Sequence, residues 1–575
     1  MTTFHRTYTV ADALLDTLKA HGVTTIFGYP GGAILPFYDA LPYHTDIRHI
    51  LVRNEQGAAF AAQGWARSTK TLGVCVATSG PGATNLVTGI ADAHLDSIPI
   101  LCITGQVPLR MIGKDMFQEV DVTGITLNIT KHNYLVEKPS DIVPIVSEAI
   151  AIAIGGRPGP VHIDVPKDIM ASEHPLKFSM PKIDLSDRDP MLQAYFPVDS
   201  RLLKKTIQAL STAKRPILLL GHGIKQAHAE KAADDFIRKT GIPTVTTLLS
   251  KGTIPHDNPY YLGMLGMHGF YESNMAMHEA DLILNIGSRF DDRIVGRYDI
   301  FGKKATVIHV DIDASELNKV VDAQISIHSD AFQFLKQILS SPKLRKLSIK
   351  NWWHQIHVWK KTCPYEHETL EFSMKNCLSA FRNIIMKNPS KYILVTDVGQ
   401  HQMWTSLSTV VGSSCQWLTS GGSGSMGFAL PAAMGAAFAH PDKTVLCVTG
   451  DGGIQMNIQE IGTVARHNLN LKVLILNNNF LGMVRQWQEL FYANNYSAVE
   501  MTSPDYAKLA DAYGIRGYTI RSQSEMERLH KKLFSDPVSL SDPVIVDYQV
   551  VKEDNVFPMV PGGKTLGETI IRANS

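Results

Sequence analysis

Short runs rich in β-branched residues alternate with longer helical segments along nearly the whole chain, and this alternation limits the possible folds more than any other feature. TTIFG, HILV, LGVCVAT and PILCIT belong to a first block, and PILLLG, PTVTT, DLILNIG and TVIHVDID to a second. KYILVTD, KTVLCVTGD, LKVLILNNN and PVIVDY belong to a third. Parallel strands need crossover helices between them, so the pattern predicts an α/β chain of three successive doubly wound parallel-sheet domains. The blocks are read as residues 1–180, 199–339 and 369–550, the first ending in a proline-dotted stretch that reaches Pro190. Between the second and third, SPKLRKLSIKNWWHQ reads as a solvated helical connector.

Composition removes several classes of function. The 575 residues suit three or four domains, and 44% hydrophobic with 19% charged residues is the balance of a folded chain. Lys+Arg 55 against Asp+Glu 54 leaves +1, which gives no field to draw in nucleic acid. No stretch approaches the roughly 18 apolar residues of a membrane span, and the N-terminus lacks the pattern of a secretory signal. The six cysteines are scattered without a CxxC pair, which reads as reduced buried thiols in a cytoplasmic protein.

Glycine-rich turns follow strands at FGYPGGA, TSGPGATN, DVGQ and VTGDGG, the places where open α/β sheets take ligands. The sharpest of them is GDGGIQMNIQE followed by VLILNNNFLGMV. Asp451 closes one strand and Asn478 the next, 27 residues on, which is about one βαβ unit and places both at one sheet edge. A carboxylate beside an amide oxygen makes half a shell for Mg²⁺, which keeps its other positions for water and phosphate oxygens. Gly450, Gly452 and Gly453 let the backbone approach those phosphates.

GDG followed at this distance by NN resembles the signature of thiamine diphosphate enzymes. RNEQGAAFAAQGWAR, SGPGATN, GQVPLRMIGKDMFQE, GRPGPVHIDVPKDI, GSRFDDR, DVGQHQMW, WLTSGGSGSMGFALPAA, GMVRQWQELF and NVFPMVPGGK are, in order, similar to blocks of acetohydroxyacid synthase (acetolactate synthase) catalytic subunits, from about residue 8 to 565. The resemblance implies that Glu55 hydrogen-bonds the cofactor's aminopyrimidine and that Met426 supports its bent form. It implies Mg²⁺ held by Asp451, Asn478 and the backbone carbonyl of Phe480. Thiamine diphosphate would further meet Gly31, Gly32, Pro81 and Asn85 from the first block. From the third it would meet Val398, Gly399, Gln400, His401, Gly424, Leu481, Gly482 and Met483 with the three glycines above. Arg293 would hold the second 2-keto acid by its carboxylate, a task suited to a guanidinium, and Trp487 would favour 2-ketobutyrate over pyruvate. Gln118, with Phe117 beside it, Lys167 and Val398 would line the same pocket.

The middle block is similar to the family's FAD-binding segments. The resemblance places FAD against Arg157, Gly221, Gly223, His268, Gly269, Gly287, Ser288, Arg289, Asp311 and Ile312, although no GxGxxG fingerprint accompanies Asp311. Retention of GSRFDDR implies the biosynthetic, FAD-containing branch serving isoleucine, valine and leucine rather than the catabolic one. The resemblance to the family also implies at least a homodimer, with Glu55 of one chain facing the Asp451 clamp of the other, a tail at 551–575 near the site, and often a small regulatory subunit. A pyruvate oxidase or 2-oxo-acid decarboxylase is the alternative enzyme, and a non-catalytic paralogue the alternative of another class. Departures from the family pattern are Asn54, Phe60, Leu127, Asn128 and Gly453.

Overall fold

The computed structural model describes residues 7–174, 198–365, 371–409, 415–535, 541–552 and 554–572, which form three six-stranded sheets with every strand pair parallel. The expected boundaries at 180 and 369 and the stretch reaching Pro190 lie outside the described residues. The first sheet holds β1 (Thr25–Gly28), β2 (Arg48–Leu51), β3 (Gly73–Ala77), β4 (Ile100–Gln106), β5 (His132–Leu135) and β6 (Val161–Pro166), ordered β2-β1-β3-β4-β6-β5. The second holds β7 (Pro216–Leu220), β8 (Thr244–Thr246), β9 (Tyr261–Met264), β10 (Leu282–Ile286), β11 (Thr306–Asp311) and β12 (Ile325–His328), ordered β12-β11-β10-β7-β8-β9. The third holds β13 (Tyr392–Thr396), β14 (Gln416–Thr419), β15 (Thr444–Gly450), β16 (Leu471–Asn477), β17 (Arg516–Ile520) and β18 (Val544–Gln549), ordered β14-β13-β15-β16-β18-β17. Central strands such as β3, β4, β7, β10, β15 and β16 are buried along their whole length, as strands covered by helices on both faces must be.

Counted from its own first strand, the third sheet repeats the order of the first. Helix Glu55–Thr69 follows β2 and helix Ala429–Ala439 follows β14, and these two equivalent helices pack against each other. They meet backbone to backbone: a Cβ on Gly64 would lie 2.0 Å from the Ala432 carbonyl oxygen, and one on Gly435 would lie 2.0 Å from that of Ala61. The contact is therefore reciprocal. Phe60 meets Phe428 edge-on at 5.5 Å, which accounts for an apolar ring at that position, and one apolar cluster runs from Phe27 and Ile50 through to Val445 and Leu471. In an exposed helix Gly→Ala adds about 1 kcal/mol of stability. At Gly435 the added methyl meets backbone, so Gly435→Ala is expected to lower stability by about 3 kcal/mol, through overpacking. A melting temperature at or above the parental value would show that the helices separate without cost.

The second sheet, counted from its own first strand, has the order 3-2-1-4-5-6, that of doubly wound dinucleotide-binding sheets, with its switch point between β7 and β10. The segment expected to be a solvated connector is instead docked. Helix Lys350–Thr362 buries Trp352, whose Nε1 donates to the Pro216 carbonyl at 3.1 Å, while Trp353 Nε1 donates to that of Gly241 at 3.0 Å. Trp352, Ile356 and Trp359 recur at helical spacing and make the apolar face that carries this docking. Cys75, Cys102, Cys377, Cys415 and Cys447 are buried thiols, and Cys363 is half-buried. Among the described residues no helix is long and apolar enough to cross a membrane.

Candidate active site

A cavity of about 610 Å³ opens along the carboxyl edges of the second and third sheets and is closed by Leu95, Asp96, Ser97 and Arg157 of the first domain. At the switch point three glycines from two turns interlock. A Cβ on Gly221 would lie 2.0 Å from the Gly287 carbonyl oxygen, and one on Gly223 would lie 2.8 Å from Gly287 Cα. Gly287 itself sits at φ +67°, in the left-handed region open to glycine. The result is a cradle of bare backbone on which side chains would intrude. Ser288 and Arg289 continue the wall, and Arg289 Nη1 donates to the Leu95 carbonyl at 2.9 Å.

Asp311 ends β11 on the same wall, next to Ile312, and accepts the Asp313 N–H at 2.9 Å. Arg157 reaches across from the first domain to Glu316 at 2.8 Å and Asp313 at 3.2 Å. His268 also lines the cavity, with its imidazole pushed down to about 4 by burial and hence neutral, while Gly269 packs behind it on the backbone of Leu265 and Gly266. This arrangement fits a dinucleotide such as FAD: the glycine cradle, the sheet order and the strand-end carboxylate converge on one wall.

At the other end of the cavity Arg293 lies over Trp487, 5.9 Å from guanidinium carbon to ring centroid. Arg293 is exposed, and among the described residues its ion-pair partner is Asp292 at 3.9 Å, too long to saturate the guanidinium. Trp487 Nε1 is buried and has no hydrogen-bond partner among the described residues. Val398, Gly399, Gly424, Met426 and Met483 line this end too, joined by Met264, Met267 and Met403, which carried no sequence signal because scattered methionines read as core.

The strand-end residues of the third sheet form a second cluster behind this wall. β15 pairs with β16 in the register Gly450↔Leu476, so Asp451 and Asn478 leave one sheet edge together. Asp451 is buried, accepts weakly from Ser503 Oγ at 3.4 Å, and burial pushes its carboxyl up to about 7. Asn478 Oδ1 accepts the Phe480 N–H at 3.2 Å, which turns the chain so that Leu481 and Gly482 follow. A Cβ on Gly482 would meet Gln400 Oε1 at 2.1 Å, one on Gly450 would meet His401 Nδ1 at 2.9 Å, and one on Gly452 would meet Leu481 at 2.9 Å. At Gly453 a Cβ would come within 2.7 Å of Asp397 Oδ1, so the glycine there suits its surroundings. A buried carboxylate with no counter-charge among the described residues, an amide and a backbone carbonyl fit a hard divalent cation, with phosphate and water left to complete its shell.

The first-domain candidates gather at their own sheet edge. Glu55 is buried at the start of helix Glu55–Thr69 and accepts from Asn85 Nδ2 at 2.9 Å, and Asn85 ends the short helix opened by Pro81. Gly31 packs on Thr78, where a Cβ would sit 2.5 Å from its side chain, with Gly32 beside it in open space. Gln118, at φ +60°, lies against Gly80. Phe117 is 89% exposed, and Lys167 stands exposed at the start of helix Lys167–Ala171. None of these residues lines the cavity. One contact that sequence reading missed links the two edges: Glu460 Oε1 accepts the Arg53 and Asn54 N–H groups at 2.8 and 3.0 Å, just ahead of Glu55.

Two nucleotide-fold edges flanking a dinucleotide-type middle sheet, one with a buried acid and one with an Asp–Asn clamp, define a three-domain cofactor enzyme. Residues 8–125, 203–338 and 397–547 match the thiamine pyrophosphate enzyme N-terminal TPP binding domain, central domain and C-terminal TPP binding domain. The chain is 45% identical to an acetolactate synthase large subunit of Cyanidium caldarium, over 97% of this chain and 96% of that one. It is 42% identical to the Escherichia coli acetolactate synthase isozyme 2 large subunit (97% and 99% covered) and 40% identical to that of isozyme 1 (99% of each). The chain belongs to the thiamine pyrophosphate enzymes, in the acetolactate synthase large-subunit family.

Proposed function

We propose that the chain is a biosynthetic acetolactate synthase that decarboxylates pyruvate and joins the two-carbon unit to a second pyruvate or to 2-ketobutyrate. The observation that carries this reading is the pairing of Arg293 with Trp487 on the wall of a cavity that also holds Met426. The thiazolium of bound thiamine diphosphate supplies the electron sink for decarboxylation. Asp451, Asn478 and the Phe480 carbonyl would hold Mg²⁺, and Glu55 would be the group that gives or takes a proton at the aminopyrimidine. Gly221, Gly223, Gly287 and Asp311 would hold FAD, with the bare glycine backbone admitting its phosphates and the carboxylate free to accept from a ribose hydroxyl. Arg293 binds the acceptor's carboxylate in two hydrogen bonds and Trp487 covers its alkyl group. A pyruvate oxidase or 2-oxo-acid decarboxylase is not favoured, since the relatives carry acetolactate synthase names.

Glu55 and the cavity are brought together by a second copy of the chain in this reading. Supporting it, Tyr29, Leu35, Met116, Phe117, Ile125 and Leu127 leave apolar surface exposed in the first domain, and Met456, Val484 and Phe491 do so in the third. The domains proposed are 1–180, 199–339 and 369–550, with the tail reaching the cavity wall, where Val560 N donates to the Met267 carbonyl at 2.7 Å. The relatives' large-subunit names support a small regulatory partner, and scattered cysteines without a CxxC pair, five of them buried thiols, suit the cytoplasm.

The test is purified protein given pyruvate, Mg²⁺, thiamine diphosphate and FAD, with both products measured as 2-ketobutyrate is varied. One extra methyl buried against an aromatic face is worth about 1 kcal/mol, a several-fold preference. Trp487→Leu is expected to lose that preference and keep acetolactate formation, whereas Arg293→Ala weakens both acceptors together. A Trp487→Leu product ratio equal to the parental one would return this tryptophan to core packing, and the absence of acetolactate from the parental protein would overturn the reading.

A further inference from the structure

Two buried carboxylates of the first domain, neither used in the proposed reaction, hold a loop of the third. Asp92 and Asp96 lie on helix Val87–Asp96, and both are buried. Asp92 Oδ1 accepts from Ser425 Oγ at 2.9 Å and from Ser420 Oγ. Asp96 accepts the Gly421 N–H at 3.1 Å and the Gly422 N–H at 2.6 Å. Arg67 lies between them, its Nη2 2.7 Å from Asp96 and 3.5 Å from Asp92, while its Nη1 donates to the Thr419 carbonyl at 3.0 Å. Every residue from Ser420 to Gly424, and Met426 after them, lines the cavity, whereas Asp92, Ser425 and Arg67 do not. A Cβ on Gly422 would come within 2.8 Å of Asp96 and 2.9 Å of Arg289, so the loop is pressed between the first and middle domains.

One end of this loop therefore faces Arg289 on the dinucleotide wall and the other carries Gly424 and Met426. We propose that Asp92, working with Arg67 through Ser420 and Ser425, is a positioning residue that sets the loop at 420–426 for both cofactors at once. This rests on the reading of the cavity as a thiamine diphosphate and FAD site. Its physical basis is preorganisation: two hydroxyl bonds to a buried carboxylate hold the loop in one shape before either ligand arrives, so neither ligand has to order it. Burial, and then the neighbouring Asp96, pushes the Asp92 carboxyl up, while Arg67 opposes that rise.

The experiment uses full-length protein stripped of cofactors. FAD is titrated by its fluorescence, and thiamine diphosphate with Mg²⁺ by quenching of tryptophan emission, in the parental chain, Ser425→Ala, Asp92→Asn and the double variant. Each single change is expected to weaken both cofactors, by about tenfold for loss of a hydrogen bond to a charged group. The double variant is expected to lose less than the product of the two, because both changes remove one shared contact. Ser425→Ala removes only a hydroxyl, so it reports even if Asp92→Asn folds poorly. Parental affinities alongside a lowered melting temperature, or losses that multiply, would overturn the loop's role and make the network purely structural. A parental chain that binds neither cofactor would overturn the underlying reading and this proposal with it.

Discussion

Asp451→Ala is expected to abolish thiamine diphosphate binding in a magnesium titration, a loss of about a thousandfold or more in affinity, the scale of stripping one partner from a buried charge pair. Asp451 brings the sole charge that the protein contributes to the proposed Mg²⁺ shell, since Asn478 and the Phe480 carbonyl are neutral; without it the cation is lost and a diphosphate would face too little positive charge. The same substitution should leave the fold intact. Burial pushes this carboxyl up to about 7, so the folded chain favours its protonated form. Its contribution to stability is full only below the unfolded value near 3.9 and is lost as pH rises through about 7 unless a cation sits beside it. The melting temperature of the apo variant at neutral pH is thus expected to be no lower than the parental one. Parental cofactor affinity in Asp451→Ala would refute the clamp.

Glu55→Gln is expected to slow deuterium exchange at C2 of bound thiamine diphosphate by roughly 10²–10⁴-fold, the usual worth of a positioned acid–base group, while cofactor affinity changes only a few-fold. The two side chains have nearly the same shape, and Asn85 Nδ2, which donates to Glu55 at 2.9 Å, finds an amide oxygen as acceptor after the change. What the amide cannot do is give or take a proton at that place. Exchange measured by quenched-flow NMR at the parental rate would remove Glu55 from the chemistry. A variant that no longer bound the cofactor at all would reassign it to shaping the site.

The order of elements was largely legible because twelve strands are written as short runs rich in apolar and β-branched residues, and the central ones read as strands buried on both faces must. Of the six others, β5, β9, β12, β14 and β17 stand at sheet edges. HNYL, ISIH and RGYTI are half-exposed there and carry polar residues that blur any run. β6 was hidden among the prolines of RPGPVHIDVPKDI. The dinucleotide signature was unreadable as a motif because its glycines, Gly221, Gly223 and Gly287, come from two turns that meet only in the folded sheet. Local patterns such as GDGG announced the Asp451 edge, but the grip of Glu460 on the Glu55 turn spans more than four hundred residues and leaves no local trace.

The reciprocal crossing of helices Glu55–Thr69 and Ala429–Ala439 is an isologous contact, the kind two copies of one unit make, although here both copies lie in a single chain. In a true homodimer every substitution at such a contact appears twice, so the two sides are bound to remain alike. Within one chain each side changes alone. Nine residues ahead of Gly64 stands Glu55, and nine ahead of Gly435 stands Met426. At equal distances along the chain from the crossing stand an ionisable acid on one side and a soft apolar side chain on the other, a division of labour that a symmetric pair of identical chains has no means of encoding.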